Sequence, residues 1–416
     1  MAVRMSNVAD RAGVSAQTVS RVIHGEGGVA AETATRVRAA MAELGYHGNA
    51  AAGALKRGQT RTLGLLFPLL ATTFASFWPD VAAGAEMLAH KRGYSLLLCD
   101  TSDSPEKEEG YLSLLLSHRV AGIVYAQPRC RPDHHPACAS LLASTIPVVV
   151  ISSDEHDLPY PHVRTDDTRA GYVAARHLLD LGRRRIAFVG EAAAFDGESG
   201  VLPKPAYDRA MGVRRALAEA GIDAGEIPVL LGPSSLEGGR QVGHALLAGP
   251  TPAPDAVFIT TETMALGLLD VVRTRGLRVP EDIALVTHDG LSAGESAYPS
   301  LTTIAPPRVA MGQACIDALL RMAAGEALPP LALLEAQFIV RESTAGVGRV
   351  PRQGFTTPLS APDAWSRWRA ETTTSDAADS GALPVARLTL GSLAYGDEGE
   401  EVMPVDRRAA HEQRVF

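Results

Sequence analysis

Apolar positions along the chain follow two different spacings, and the change between them falls near residue 60. In the first 45 residues, apolar side chains recur every three to four positions, as in helices that bury one face. Val8 and Ala12 would share the inner face of a first helix, and Val19 and Val22 that of a second. The spacing therefore predicts a small, all-helical unit at the start of the chain.

Glycine and serine mark the turns of this unit. Gly13 would end the first helix, and the Ser15 hydroxyl can accept a hydrogen bond from a free backbone N–H of the second. A third helix is predicted from about Glu32 to Leu44, and Gly45 would end it.

From Thr62 onward, short apolar runs alternate with longer amphipathic segments. The apolar runs lie at 62–67, 95–99, 120–125, 146–151, 185–190, 227–231, 255–260 and 282–287. The helix-like segments lie at 79–92, 106–118, 168–182, 208–220, 237–248 and 263–275. This alternation is typical of α/β folds with doubly wound parallel sheets. So many strands are better divided between two subdomains, with a ligand site in the cleft at the carboxyl ends of the strands.

The alternation stops near residue 346, which sets the predicted domain boundaries. The later residues are rich in Pro, Ser, Thr and Asp, and they have little apolar periodicity. We therefore expect a small helical unit at 1–58, a core of two α/β subdomains at 59–346 and a disordered extension at 347–416.

Charge is distributed unevenly between these parts. The whole chain has a formal net charge of -8, yet residues 1–61 contain eight Arg or Lys and only four Asp or Glu. Because phosphate attraction is screened over about 10 Å at ordinary salt, the local surface matters more than the total charge. The basic start on an acidic body indicates a nucleic-acid-binding module.

Composition sets the expected compartment. The start of the chain does not resemble a secretory signal, no apolar run is long enough to span a bilayer, and the four cysteines have no disulfide-framework spacing. We expect a reduced, cytoplasmic protein that associates with the nucleoid and not with a membrane.

The segment GVSAQTVSRVIHG (13–25) carries the clearest chemistry. It combines a tight turn with a helix whose early residues are polar, as in a helix-turn-helix that enters the major groove. Gln17 can pair with adenine and Arg21 with guanine. Three hydroxyls can bind phosphate, those of Ser15, Thr18 and Ser20. A solvated surface helix is the alternative interpretation of this segment alone.

The segment has a longer context. VADRAGVSAQTVSRVIHG, the third helix ending in ELGY, and the later segments DLGRRRIAFVG, GLRVPEDIALVTHD and PSLTTI follow one another in order to about residue 345. This series resembles the lactose-repressor (LacI/GalR) family of bacterial transcription regulators. The resemblance implies a helix-turn-helix head, a hinge helix, and a core similar to periplasmic sugar-binding proteins.

The resemblance also implies particular DNA contacts. Ala16, Gln17 and Arg21 match the family's base-contacting positions, and His24 lies at the end of the same helix. Residues 49–57 match the hinge helix, which in the family folds when a dimer sits on its operator. Its predicted DNA-binding residues are Asn49, Ala52 and Leu55, of which Leu55 would insert into the minor groove. Arg4 stands where the family usually has a threonine N-cap, so we expect Ser6 to cap the first helix.

For the effector pocket, the resemblance points to positions on both sides of the cleft. Arg209 and Asp289 match family residues, and the pair Phe77–Trp78 matches an aromatic pair that could line the pocket or pack the first helix of the core. The chain departs from the family at three more predicted pocket positions, which here are Ser234, Thr261 and Glu262. A carbohydrate or related polyol remains the expected effector class.

The sequence shows no catalytic set, and no enzyme activity, cofactor or metal is predicted. The expected partners are double-stranded operator DNA, a small effector and further copies of the chain in a homodimer or tetramer. The predicted function is a ligand-responsive regulator, most simply a repressor of carbohydrate-utilisation genes that its effector releases from a pseudo-palindromic operator. Two alternatives stay open: a corepressor-dependent regulator, and a small-molecule receptor of the same fold that does not bind an operator.

Overall fold

The computed structural model describes the head, most of the core and a short segment beyond it. The described residues are 3–24, 27–46, 60–68, 77–102, 104–126, 135–151, 158–191, 204–223, 227–249, 253–350 and 353–359. Across these ranges, no helix is long and apolar enough to cross a membrane.

The head consists of the three predicted helices. They are α1 (Met5–Ala12), α2 (Ala16–His24) and α3 (Ala31–Leu44). Their core centres on Val8, Val19 and Val37, all fully buried. Gly13 and Gly45 end α1 and α3 in the left-handed region, with φ of 63° and 61°, a conformation that glycine adopts at little cost.

One detail of the head was predicted wrongly. Arg4, and not Ser6, is the N-cap of α1, because its own backbone N–H donates to Asn7 Oδ1 at 2.9 Å. The asparagine side chain three residues on thus satisfies the backbone N–H of the N-cap residue, as the N3 side chain of a capping box does.

The remaining elements form two α/β subdomains, as predicted. The strands are β1 (Thr62–Phe67), β2 (Ser95–Asp100), β3 (Gly122–Ala126), β4 (Val148–Ile151), β5 (His162–Thr165), β6 (Ile186–Glu191), β7 (Val229–Gly232), β8 (Ala256–Ile259), β9 (Ala284–His288), β10 (Thr302–Ala305), β11 (Leu331–Leu334), β12 (Gln337–Val340) and β13 (Phe355–Pro358). The helices are α4 (Phe77–Lys91), α5 (Pro105–Ser117), α6 (Pro136–Leu142), α7 (Asp167–Asp180), α8 (Lys204–Glu219), α9 (Leu236–Ala248), α10 (Glu262–Thr274), α11 (Ser292–Ser296), α12 (Arg308–Ala323) and α13 (Glu342–Ala345).

Each subdomain is a sheet covered by helices on both faces. The first sheet has the order β11-β5-β4-β3-β1-β2 and is parallel throughout. The second has the order β13-β12-β10-β9-β8-β6-β7, and its strands are parallel except for β12, which pairs antiparallel with β10 and β13. Strands buried on both sides explain the continuous apolar runs in the sequence, since neither face meets water.

The second sheet extends beyond the predicted boundary at residue 346. Residues 355–358 pair antiparallel with β12, and the Leu359 side chain is buried in the core of this subdomain. The start of the expected extension therefore belongs to the core. Residues 360–416, the rest of that extension, lie outside the described residues.

The chain passes between the subdomains three times. β5 leads into α7 of the second subdomain, β10 leads back into α12 of the first, and β11 leads to β12 of the second. Only one or two residues separate the elements at each passage. Both subdomains are therefore built from segments that are far apart in sequence.

Three helix pairs bring their backbones into direct contact through glycines. A Cβ on Gly84 of α4 would lie 2.0 Å from a carbonyl oxygen of α12, and one on Gly212 of α8 would lie 2.0 Å from a carbonyl oxygen of α7. The α9–α10 pair has the same arrangement, at Gly239 and Gly267. Because any side chain would force these helices apart, glycine is required at each crossing.

Candidate DNA-binding face and effector site

The exposed face of α2 gathers the predicted base-contacting residues. Ala16, Gln17 and Arg21 are exposed, while Val19 on the opposite side is fully buried against α1 and α3. Within the described residues, no hydrogen bond or ion pair engages the side chains of Gln17 and Arg21. This face therefore presents a bidentate amide and a guanidinium to an external partner.

Ser15 fixes the start of this helix. Its Oγ accepts a hydrogen bond from the Thr18 backbone N–H at 3.2 Å and lies 3.0 Å from Thr18 Oγ1. Thr18 and Ser20 are half-buried, whereas Ser15 is exposed. The predicted N-cap is therefore present, and its hydroxyl is also within reach of a phosphate at the helix start.

Four predicted DNA contacts cannot be placed in this way. Asn49, Ala52 and Leu55 of the proposed hinge lie outside the described residues, and only the backbone of His24 is described. Their roles stay predictions from the sequence.

The predicted effector residue Arg209 lies in a buried ion pair. It projects from α8, is 8% exposed, and its Nε donates to Asp167 Oδ1 at 2.8 Å. Its Nη1 donates to the Thr260 carbonyl oxygen at 3.0 Å, at the end of β8. Within the described part of the chain, no hydrogen bond engages Nη2, so this nitrogen retains donors for a ligand.

Asp289 follows β9 directly and has an unusual backbone. Its φ of 101° lies in the region that favours glycine, which indicates local strain at this position. Its carboxylate accepts from His288 Nδ1 at 3.1 Å and from the Glu262 backbone N–H at 3.3 Å. Burial alone would raise the pKa of Asp289, but His288 and Arg209 outweigh burial and lower it, which keeps the carboxylate ionised.

His288 completes this polar cluster. Burial and the nearby Arg209 guanidinium lower the pKa of His288, so the imidazole is neutral at neutral pH. Because Nδ1 donates to Asp289, Nε2 is left as the acceptor nitrogen, and it lies 4.0 Å from Asp167 Oδ1. Together, Asp167, Arg209, His288 and Asp289 form what we call the cleft cluster, at the carboxyl ends of β5, β8 and β9.

Glu262 binds backbone N–H groups of a neighbouring segment. It is fully buried at the start of α10, where Oε1 accepts from the Gly294 N–H at 2.7 Å and Oε2 accepts from the Leu291 N–H at 3.1 Å. Burial and the neighbouring Asp289 raise its pKa to about 7. The side chain thus holds the start of α11 and the residue before it, and its predicted role in effector binding stays a prediction. The preceding Thr261 is the N-cap of α10 and accepts from the Met264 N–H at 3.4 Å.

The other predicted pocket residues are not joined to the cleft cluster by any hydrogen bond between described residues. Trp78 is 6% exposed and packs in the core of the first subdomain. This agrees with the prediction that the aromatic pair could pack the first helix of the core. Phe77 is half-buried beside it, edge to face, with ring centroids 5.0 Å apart. Ser234 is half-buried directly after β7.

Comparison with known proteins identifies the chain. Residues 4–49 match the model of the bacterial regulatory proteins of the lacI family, and residues 175–344 match that of a periplasmic binding protein-like domain. The HTH-type transcriptional regulator DegA of Bacillus subtilis is 34% identical over 306 residues, which cover 74% of this chain and 87% of that protein. This chain belongs to the lacI family of bacterial regulators.

Two further comparisons extend across both parts of this lacI-family regulator. The ribose operon repressor of Escherichia coli is 31% identical over 318 residues, covering 76% of this chain and 92% of that protein. The solved structure of the lac repressor dimer bound to operator and the anti-inducer ONPF is 26% identical, with a TM-score of 0.71, covering 83% of this chain and 99% of that one. The chain is accordingly a DNA-binding transcription regulator and not an enzyme.

Three functional candidates of this lacI-family core were missed from the sequence. Asp167 follows the polar strand HVRT, which has no apolar run, and His288 directly follows the strand predicted at 282–287. Arg308 stands directly after Pro306 and Pro307 and was not among the predicted site residues. A signal was available for His288 only, since it adjoins Asp289 at the carboxyl end of a predicted strand.

Proposed function

We propose that this regulator is a repressor that binds a pseudo-palindromic operator as a homodimer and is released by a small polyhydroxylated effector. It would act in the cytoplasm, at the nucleoid, on genes for carbohydrate use. The observation that carries the DNA-binding part is the exposed face of α2, where Gln17 and Arg21 have no hydrogen-bond or ion-pair partner among the residues that the structure describes. Two copies of such a helix, one per protomer, would contact successive major grooves of one site.

The chemistry of the cleft cluster supports the effector part. Nη2 of Arg209 makes no hydrogen bond to any described residue, and the side chain of Asp289 is 16% exposed and ionised. A guanidinium beside a carboxylate can bind adjacent hydroxyls, with one group donating to them and the other accepting. One of the relatives above is named as a ribose operon repressor, which favours a sugar.

The test of DNA recognition is selection of bound sequences from a random duplex pool by the full chain, at near-physiological salt. We expect a recovered pseudo-palindrome. In the Arg21→Ala variant, preference at one base pair of each half-site should fall by about 1–3 kcal/mol, while the other positions keep theirs.

The matched control is Arg38→Ala, which removes the same charge from an exposed position on α3. A purely electrostatic role for Arg21 would make the two variants equal and would weaken all sequences alike. That result would contradict base recognition by α2.

If the wild-type chain recovers no motif, selection is repeated with a panel of sugars. A motif only with sugar would mean corepression, and a second failure would favour the receptor without operator binding.

A further inference from the structure

Arg308 is the first residue of α12, at the second passage of the chain between the subdomains, and its side chain contacts both of them. Nε donates to Asp80 Oδ2 of α4 at 2.9 Å. Nη1 donates to the carbonyl oxygen of Asp289, and Nη2 donates to that of Gly290 at 3.2 Å. All three guanidinium nitrogens are therefore engaged, one by the first subdomain and two by the second.

The two carbonyls belong to the strained end of β9. Asp289 and Gly290 both have positive φ, of 101° and 63°. The Asp289 side chain lies in the cleft cluster, while its carbonyl is held by Arg308. A ligand whose binding at the carboxylate shifts the backbone at Asp289 must therefore either carry Arg308 with it or break these bonds.

The other end of the link reaches the subdomain that follows the head. Asp80 lies in the first turn of α4, which packs against α12. This subdomain begins with β1, the first described strand after the head. Because the planar guanidinium donates in fixed directions, a shift of its carbonyl partners changes its geometry toward Asp80.

We propose that Arg308 is the positioning residue that couples the effector-site loop at Asp289 to α4 and thereby to the subdomain next to the head. The inference rests on the proposed function, since it concerns the same cleft. Arg308 does not contact base pairs, and its role is to transmit a change at Asp289 across the passage.

The structure supplies a matched control for this link. Arg92, just after α4, forms a second Arg–Asp ion pair to α12, with Asp317 at 3.8 Å. It joins α4 and α12 as Arg308 does, but it makes no hydrogen bond to the Asp289 loop among the described residues. Arg92→Gln therefore removes an ion pair between the same helices without touching the proposed link.

The first experiment measures operator affinity of the full chain by fluorescence anisotropy, with and without saturating D-ribose. Effector coupling commonly changes affinity by about 5- to 150-fold, and we expect the wild type to lie in that range. Arg308→Gln and Asp80→Ala should each reduce the ratio by about 5-fold or more. Asp80→Ala should leave the ribose affinity unchanged, because Asp80 lies outside the cleft cluster. Arg92→Gln should keep the full ratio of operator affinities with and without ribose.

Retention of the full ratio in both Arg308→Gln and Asp80→Ala would overturn the inference. Absence of operator binding or of any ribose effect in the wild type would instead count against the proposed function or this sugar. In that case, a second measurement without effector tests whether Arg308 couples the Asp289 loop to α4.

That second measurement is hydrogen exchange at the amides of residues 289–291 in the ligand-free chain. These amides are bonded to Ile304, Thr303 and Glu262. Asp80→Ala, on the other subdomain, should speed their exchange, whereas Arg92→Gln should not. Equal exchange rates of these amides in the wild type and Asp80→Ala would show that Arg308 does not couple α4 to the Asp289 loop.

Discussion

The face of α2 and the cleft cluster are both rich in polar residues, yet they are built in opposite ways. On α2, Gln17 and Arg21 are exposed, and their side chains make no hydrogen bond or ion pair within the described residues. In the cleft cluster, Arg209 is buried and Asp289 half-buried, and both are already bonded to neighbours. The exposed residues of α2 can therefore be changed with little effect on the stability of the head. In the cleft cluster, the atoms that could bind a ligand also stabilise the fold.

Removing Arg209 should have the largest effect on stability and tests this comparison most directly. Arg209→Leu leaves Asp167 as an uncompensated buried charge, because the pair is 8–10% exposed. We expect a loss of about 3–5 kcal/mol in the free energy of unfolding, measured by urea denaturation. The matching change on α2, Arg21→Ala, should leave stability nearly unchanged.

Two controls accompany this change. The double variant Arg209→Leu with Asp167→Asn should recover part of the loss, because it removes both charges. Arg240→Leu breaks the ion pair with Asp270, in which the Arg240 side chain is 38% exposed and the Asp270 side chain 55% exposed. This change should hardly alter the urea midpoint. If Arg209→Leu were as mild as Arg240→Leu, the cleft cluster would have no structural role.

A second effect, of about 3 kcal/mol, should appear as a pH dependence set by Glu262. Its pKa rises from 4.5 to about 7 on folding, so the folded state holds this proton more tightly than the unfolded state. The resulting stability is fully present below pH 4.5 and is lost as pH rises through about 7. Glu262→Gln cannot titrate, so the difference in unfolding free energy between wild type and variant should change by that amount across this window.

The measurement is a series of urea denaturation curves between pH 4.5 and 8. Glu86→Gln, at an exposed position of α4, should keep the wild-type slope and serves as control. Parallel curves for wild type and Glu262→Gln would show that Glu262 ionises normally in the folded chain.

The smallest expected effect lies in the head. Ser15→Ala removes the acceptor of the Thr18 N–H at the start of α2, which should destabilise the head by about 1 kcal/mol. Ser6→Ala, at an exposed position inside α1, is the control and should be neutral or slightly stabilising. Thermal unfolding followed by circular dichroism measures both, and equal melting curves for the two variants would contradict the N-cap.

How much the sequence could predict differs between the same two regions. The head was predicted element by element, since Gly13, Ser15 and Gly45 act through local backbone geometry. The eight apolar strands were predicted from their continuous apolar runs, which burial on both faces produces in central strands such as β3, β4 and β8. The strand β5 was missed, because its sequence HVRT contains polar residues that meet partners distant in the chain.

The cleft cluster marks the limit of such predictions. Asp289 and Glu262 lie just after strands that the sequence predicts, whereas Arg209 lies on α8 and reaches the end of β8 through its side chain. Only the structure shows that Glu262 holds a neighbouring loop. In sequence, a carboxylate that binds backbone N–H groups and one that binds a ligand have the same appearance. Arg308 could not be recognised because its partners Asp80 and Asp289 are 228 and 19 residues away.

The triple passage of the chain has a consequence for how the protein is made. β11 completes the first sheet beside β5, and its register pairs Leu331 with His162. A ribosome must therefore synthesise most of the second subdomain before the first can close its sheet. The head is the exception, since its core draws only on residues between Met5 and Tyr46. It can fold as soon as it emerges, while both subdomains must wait for β11 and β12 and reach their final form almost together.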